Sequence, residues 1–508
     1  MRQTPIGLLL CALILAGCSR RLAQVASQTQ KEAYVTVDWN KVIRVSNTNA
    51  TLQVVVSPLM ARNAPTHDRI FSALHDLGAD DVRYVPWLPY PKLAVAELEP
   101  PANGRTSWDF SLIDPFAEDF AQATEGHSTI WNFSTIPQWM FRTPQPVPYP
   151  SDPNQVTWKY EQGRELRDSS MKEVADYYGR LVSWYTRGGF KDEYGQEHAS
   201  NHHYKIDYWE VLNEVDFEHF MTPQFYTALY DAIVGAIRKV DPHMKFVGLA
   251  LASTSPNAAV TGMAPAFFEY FLNHKNHKPG IPIDMISYHF YATPTADQTP
   301  EVQQYTFFAL ADYFVDEVGY IESIRRRLSP ETGTTADEVG SFLYDDNAVP
   351  HGPIPDSYWN LSAALYAYVY GNLARLGIDA VGESALAQLP GFFPSVSMVD
   401  WKTGQPNARY WVLKLIHNHL GPGDKLVEAN ASTPYVYAQA FIGKDGRRKI
   451  LLVNKRERQF QVSIPGISGG QEEFVDETTG FKPPETAHLN SNTLTLGRLG
   501  VAVVTVQP

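Results

Sequence analysis

Cysteine is nearly missing from this chain: only Cys11 and Cys18 occur among 508 residues, both close to the N-terminus. The remaining sequence therefore has no disulfide, no thiolate metal site and no cysteine nucleophile. Low-complexity stretches are also lacking, and 44% hydrophobic with 19% charged residues is the composition of a globular protein, not a disordered one. Positive charge is scarce. Lys and Arg number 42 against 55 Asp and Glu, a net charge of -13, which speaks against a nucleic-acid partner because neutralising phosphates requires basic surface. The basic run Arg325-Arg326-Arg327 reads as a solvated helix face. A long apolar run is confined to Ile6 through Leu15, too short to span a bilayer, and with Arg2 ahead of it this segment reads as a cleavable signal peptide. What is abundant is aromatic residues, at 12%, and 36 prolines, a combination that suits long, structured, aromatic-lined loops.

Leu15-Ala16-Gly17-Cys18 resembles the lipobox of bacterial lipoproteins. The resemblance implies cleavage before Cys18 and lipidation of that thiol, with 1–18 as the lipoprotein signal segment and a polar tether over 19–32. It also implies display on a cell envelope, periplasmic or external, with the lipid anchor as the only membrane contact. The length left over exceeds one ordinary core, and a barrel of roughly 250 to 400 residues with a small partner domain would account for it.

From residue 51 the chain alternates strands with helices, the mark of a parallel α/β fold. Barrel strands are expected at Leu52–Ser57, Val82–Val85, Ser128–Phe133, Ile206–Leu212, Phe246–Leu251, Met285–Phe290, Thr334–Val339 and Ile378–Gly382. Thr222-Pro223 opens a helix as a cap followed by proline, and Ser170-x-x-Glu173 has the form of a capping box. Phe314–Leu328, Tyr358–Leu376 and Asn407–His417 read as the last three helices. Tyr34–Val37 and Val42–Val45 read as paired short strands before the barrel, and beyond 424 the pattern is wholly that of strands and turns. The expected fold is α/β, a (β/α)8 TIM barrel over 51–423 with an appended all-β sandwich built from both chain ends, 33–50 and 424–508.

Such a barrel carries its chemistry at the C-terminal ends of its strands. The fourth strand runs Tyr208-Trp209-Glu210-Val211-Leu212-Asn213-Glu214; alternation puts Glu210 and Glu214 on one face, with Glu214 at the mouth. A carboxylic acid there can protonate a glycosidic oxygen while the amide of Asn213 holds a sugar hydroxyl, and glycosidic cleavage needs a second carboxyl opposite. Two residues compete for that place: Glu338 ends the seventh strand and Glu383 the eighth. The strand count favours Glu338, because without a seventh strand the helix at 358–376 would have none before it. Glu383, preceded by the cleaner apolar strand, is otherwise a pocket residue.

Trp209-Glu210-Val211-Leu212-Asn213-Glu214 resembles the acid/base motif of clan A glycoside hydrolases, family 39 above all (β-xylosidases and α-L-iduronidases), with relatives in families 51 and 79. The stretch through Glu338-Val339-Gly340-Ser341, Tyr358-Trp359 and Ala374-Arg375-Leu376-Gly377-Ile378-Asp379-Ala380-Val381 is similar to the nucleophile strand, helix and last strand of the family 79 β-glucuronidase and heparanase type. The resemblance implies a retaining double displacement, with Glu214 as acid/base, Glu338 as nucleophile, no cofactor and no metal. It further implies that Tyr291 bonds the nucleophile, that His289 lies beside it and that Arg83 keeps it ionised. Asn132, Trp87 and Trp401 are expected sugar contacts, since aromatic faces stack on pyranose rings. His202-His203 falls at the far end of the fourth strand, away from the chemistry. The expected partner is an oligo- or polysaccharide, with a β-xyloside as the favoured substrate. A non-catalytic carbohydrate-binding lipoprotein and a transglycosylase remain the alternatives, and the oligomeric state is left open.

Overall fold

The computed structural model describes residues 31–145, 149–158, 163–254 and 264–506. The leader, Cys18 and nearly all of the tether lie outside the described residues. The first strand, β1 (Lys31–Val45), is followed by alternating strands and helices. In order these are β2 (Asn49–Val55), α1 (His67–Leu77), β3 (Val82–Val85), α2 (Asp114–Ala123), β4 (Thr129–Trp131), α3 (Lys172–Arg187) and a small hairpin of β5 (Gly189–Lys191) and β6 (Glu197–Ala199). Then come β7 (Tyr208–Glu210), α4 (Pro223–Val240), β8 (Lys245–Leu251), α5 (Ala264–Phe271), β9 (Met285–Ala292), α6 (Pro300–Leu328), β10 (Gly333–Ser341), α7 (Asp356–Leu376), β11 (Ala380–Glu383) and α8 (Ala408–His419). Eight strands close in the order β10-β11-β2-β3-β4-β7-β8-β9 as a parallel barrel.

The barrel strands are buried on both faces, β3 and β11 along their whole length, as expected of a parallel sheet ringed by helices. Helix ends follow the local sequence. Thr222 Oγ1 accepts from Phe225 N at 3.2 Å with Pro223 as the first helical residue, and α7 stops at Gly377, whose φ of 88° a residue with a Cβ would adopt only under strain. The Ser170–Glu173 capping box does not form. Met171 occupies φ 60°, and Asp168 Oδ2 accepts from Glu173 N at 3.0 Å in its place. The sixth helix begins at Pro300, fourteen residues before the expected start, behind a Thr299-Pro300 pair of the same kind as Thr222-Pro223. Helices α2 and α5 were absent from the sequence reading; both are short, and α5 is apolar on most sides, which hides helical periodicity.

The C-terminal strands are β12 (Lys425–Ala431), β13 (Val436–Ile442), β14 (Arg448–Asn454), β15 (Phe460–Ser463), β16 (Gln471–Val475), β17 (Glu485–His488), β18 (Thr493–Leu496) and β19 (Val501–Val506). In place of two paired N-terminal strands there is one bent strand. The start of β1, at Lys31–Tyr34, pairs in parallel with β15, and Val35–Val45 pairs antiparallel with β12, with irregular register between Asp38 and Arg44. Ile450, Leu452, Ala502 and Val504 fill the sandwich interior, whereas Leu451, Val453, Val501 and Val503 join the barrel's core cluster. The strict alternation along β14 and β19 thus serves two cores at once.

Candidate active site

Carboxyls and amides from several barrel strands converge on the guanidinium of Arg83, which β3 buries at 1% exposure. Arg83 Nε donates to Glu210 Oε2 at 2.5 Å, Nη1 to Glu338 Oε1 at 2.5 Å and Gln53 Oε1 at 3.0 Å, and Nη2 to Asn213 Oδ1 at 2.7 Å. A buried cation is tolerable only with such partners on every side.

Simple alternation does not deliver Glu214 to the mouth, because β7 ends at Glu210. Leu212 and Glu214 take φ values of 68° and 42°, left-handed conformations that cost a residue with a Cβ about 1–2 kcal/mol each. The turn is held by Val211 N donating to Val247 O at 3.0 Å, Glu214 N to Ala250 O at 2.8 Å and Asn132 Nδ2 to Leu212 O at 3.0 Å. It leaves the Glu214 side chain 15% exposed above a fully buried Glu210.

On the opposite wall, β10 carries Asp337 and Glu338 in succession. Neighbours in a regular strand face opposite ways, yet both carboxyls turn toward Arg83, with Asp337 Oδ2 3.4 Å from Arg83 Nε. The register of β10 slips against β9 between Thr335 and Glu338, and against β11 between Ala336 and Val339, and this irregularity is what re-aims the pair. Tyr291 OH donates to Glu338 Oε2 at 2.7 Å. The same phenol oxygen lies 2.6 Å from Ser384 Oγ; a phenol has one proton, so the serine hydroxyl supplies the other. His289 Nδ1 sits 2.9 Å from Glu214 Oε1 and 3.5 Å from Glu338 Oε2. Polar atoms of Glu214, His289 and Glu338 all lie within 4.8 Å of one another. Burial works against charge on His289, but Glu338 and Glu214 outweigh it and bring the imidazole up to about 9. Glu338 is engaged by Arg83 and Tyr291 and His289 Nδ1 by Glu214, while the buried His289 Nε2 has no hydrogen-bond partner.

Beside Glu214, the Glu218 carboxyl accepts from Trp87 Nε1 at 2.6 Å and from Asn213 Nδ2 at 2.9 Å. Burial first, and then the charge on Glu214, push the Glu218 carboxyl up to about 8. An aromatic wall rises from this point. Trp87 meets Trp158 at 5.7 Å and Phe393 at 6.3 Å between centroids, Phe393 meets Phe342 at 4.9 Å, and Phe342 stacks on Tyr291 at 4.2 Å. Trp158, Phe342 and Phe393 were not singled out in the sequence, since lone aromatics in loops carry no periodic signal; Glu218 was readable as one helical turn beyond Glu214.

Other expected residues fall elsewhere. Asn132 is fully buried and donates to Glu210 at 2.6 Å, so in place of a sugar contact it supports the turn under Glu214. Trp401 packs partly buried against the barrel core in the turn shortly before α8. Glu383 is 0% exposed; its Oε1 accepts from Arg409 Nε at 2.9 Å, and burial raises its carboxyl while Arg409 opposes the shift. Replacing Glu383 with Gln is expected to cost about 3–5 kcal/mol, because Arg409 would be left as a buried charge without its counter-ion. A lowered urea midpoint would register this, while turnover by the folded fraction should fall less than about tenfold. A stable Glu383→Gln protein with no turnover would instead move the nucleophile to β11.

An eight-stranded parallel barrel with this carboxyl cluster at its mouth and a β-sandwich attached places the chain in resemblance to the clan A glycoside hydrolases. More particularly, residues 169–341 match the family model for Glycosyl hydrolases family 39, a segment that includes Glu214, His289, Tyr291 and Glu338. A comparison with curated proteins finds no match. Among solved structures, the fold superposes on the GH51 arabinofuranosidase from Xanthomonas axonopodis pv. citri with a TM-score of 0.64 and 11% identity, covering 94% of this chain and 100% of that one. The catalytic domain of GH30 xylanase C from Talaromyces cellulolyticus gives 0.57 and 12%, over 94% and 100%. A conserved exported protein from Bacteroides fragilis gives 0.63 and 11%, over 93% and 100%. At these identities the likeness is one of fold.

Proposed function

We propose that the protein is a retaining glycoside hydrolase, β-xylosidase-like in its substrate, that cleaves plant- or microbe-derived glycans from a lipid anchor on a bacterial envelope. The observation that carries this reading is the approach of Glu214 and Glu338, an oxygen of one lying within 4.8 Å of an oxygen of the other across the barrel mouth. Retaining enzymes hold their carboxyls about 5–5.5 Å apart, whereas inverting ones leave about 6.5–9.5 Å for a water. In the first step Glu338, oriented by the hydrogen bonds it accepts from Arg83 and Tyr291, attacks the anomeric carbon as the carboxylate while Glu214 gives its proton to the departing glycosidic oxygen. In the second, Glu214 takes a proton from water, the hydroxide displaces Glu338, and both carboxyls return to their starting states. The family 39 match over the site segment supports a glycoside as substrate, and the names of two fold neighbours, an arabinofuranosidase and a xylanase, sit well with a pentoside. The anchor rests on Leu15 through Cys18.

The test is a panel of aryl β-glycosides given to protein starting near residue 24, with the first-formed sugar anomer followed by proton NMR. Fastest turnover on the β-xyloside with the β-anomer appearing first is the expected result. First appearance of the α-anomer would refute retention, and a preference for another sugar would refute the xyloside assignment. Silence across the panel would favour a carbohydrate-binding role.

A further inference from the structure

Three carboxyls, Glu210, Asp337 and Glu338, all buried, crowd one guanidinium. Arg83 and His289 are two cations against these three carboxyls and Glu214, which also sits on His289, so full ionisation would leave buried negative charge without a counter-ion. The hydrogen bonds identify the odd one. Glu210 Oε2 accepts from Arg83 Nε and from Asn132 Nδ2, and its Oε1 accepts from Ser287 Oγ. Glu338 accepts from Arg83 and Tyr291. Asp337, 2% exposed, has no donor on either oxygen, and the facing charged groups stand off, Arg83 Nε at 3.4 Å and His289 Nε2 at 3.5 Å. Glu210 Oε2 and Asp337 Oδ2 nevertheless both face Arg83 Nε, at 2.5 and 3.4 Å, and two buried carboxyls meet on one nitrogen in this way without repulsion only where one of them carries a proton.

We propose that Asp337 is a positioning residue that works as a neutral carboxylic acid, donating its proton to Glu210 and leaving the charges of Arg83 and His289 to Glu338. Burial and the Glu210 charge both push the Asp337 carboxyl far above the usual range, while Arg83, ahead of Ser287, outweighs burial and holds Glu210 below it. An ionised Asp337 would compete with Glu338 for both cations from one residue away. The inference rests on the glycosidase reading for its catalytic consequence, but not for the protonation itself.

Infrared difference spectroscopy between wild type and Asp337→Asn at neutral pH should show the carbonyl stretch of a protonated carboxylic acid, shifted by deuteration. Carboxylate bands alone would overturn the proposal, whatever the enzyme's substrate. Kinetics on the best aryl glycoside supply the second readout. The Asn amide can still donate to Glu210, so kcat/KM should stay within about tenfold of wild type and the acid limb of the pH profile should stay in place. Asp337→Ala removes the donor and should lose about 10²-fold, with that limb displaced. A loss in the Asn variant as deep as in the Ala variant would overturn the donor role. Should the Ala protein fail to fold, the Asn variant and the infrared band still decide. Wild type inert on every glycoside would count against the glycosidase reading, leaving the infrared result standing by itself.

Discussion

Glu338→Gly is expected to fold and to lose turnover of aryl β-glycosides by about 10⁴-fold or more, the scale on which loss of a covalent nucleophile is felt. Folding should survive because Arg83 keeps Glu210, Gln53 and Asn213 as partners when Glu338 is removed. Azide should then restore cleavage of a substrate with a good leaving group. The small anion enters the space vacated by the carboxylate and attacks from the same face, so the product is the α-glycosyl azide, inverted relative to the substrate. Mass and NMR identification of that azide is the measurement. Rescue of a Glu383 variant in place of the Glu338 variant would transfer the nucleophile to β11.

Arg83→Met should damage both stability and catalysis, since it leaves Glu210, Asp337 and Glu338 with no guanidinium among them. Removing one side of a buried ion pair typically costs about 3–5 kcal/mol, readable as a lower denaturation midpoint. The sign of the pH effect follows from charge. A cation beside a carboxylate favours its ionised form, so taking the cation away moves the acid limb of kcat/KM to higher pH and the protein works, if at all, over a narrower range. Arg83→Lys should recover part of the stability but little of the rate, because a point charge on a flexible stem cannot serve Glu210, Glu338 and Asn213 with separate fixed donors. An unchanged limb in Arg83→Met would mean that Arg83 has no part in keeping the nucleophile anionic.

Much of this site was legible beforehand where a residue type and a strand end coincide. Asn213-Glu214 after an apolar run, His289 and Tyr291 two apart on the sixth barrel strand, and Arg83 at the second all converge in the structure. The seventh barrel strand, weak as a sequence because Thr334, Thr335, Asp337 and Glu338 interrupt its apolar character, is a full nine-residue strand. Two of those polar residues, Asp337 and Glu338, are members of the site at Arg83. Asp337 went unread for the same reason: alternation turns it away from Glu338, and only the slipped register brings both to Arg83.

The order of the barrel strands, most of the helices between them, the all-β tail and the candidate carboxyls were determined by sequence alone, because hydrophobic periodicity and strand-end chemistry are local properties. Closure of the ring decided the rest. Which carboxyl has donors and which has none, how Leu212 and Glu214 bend to raise an acid to the mouth, and how Phe342, Phe393 and Trp158 form one wall depend on groups far apart in the chain. Burial and pairing are relations between such groups, and no single segment of the sequence contains them.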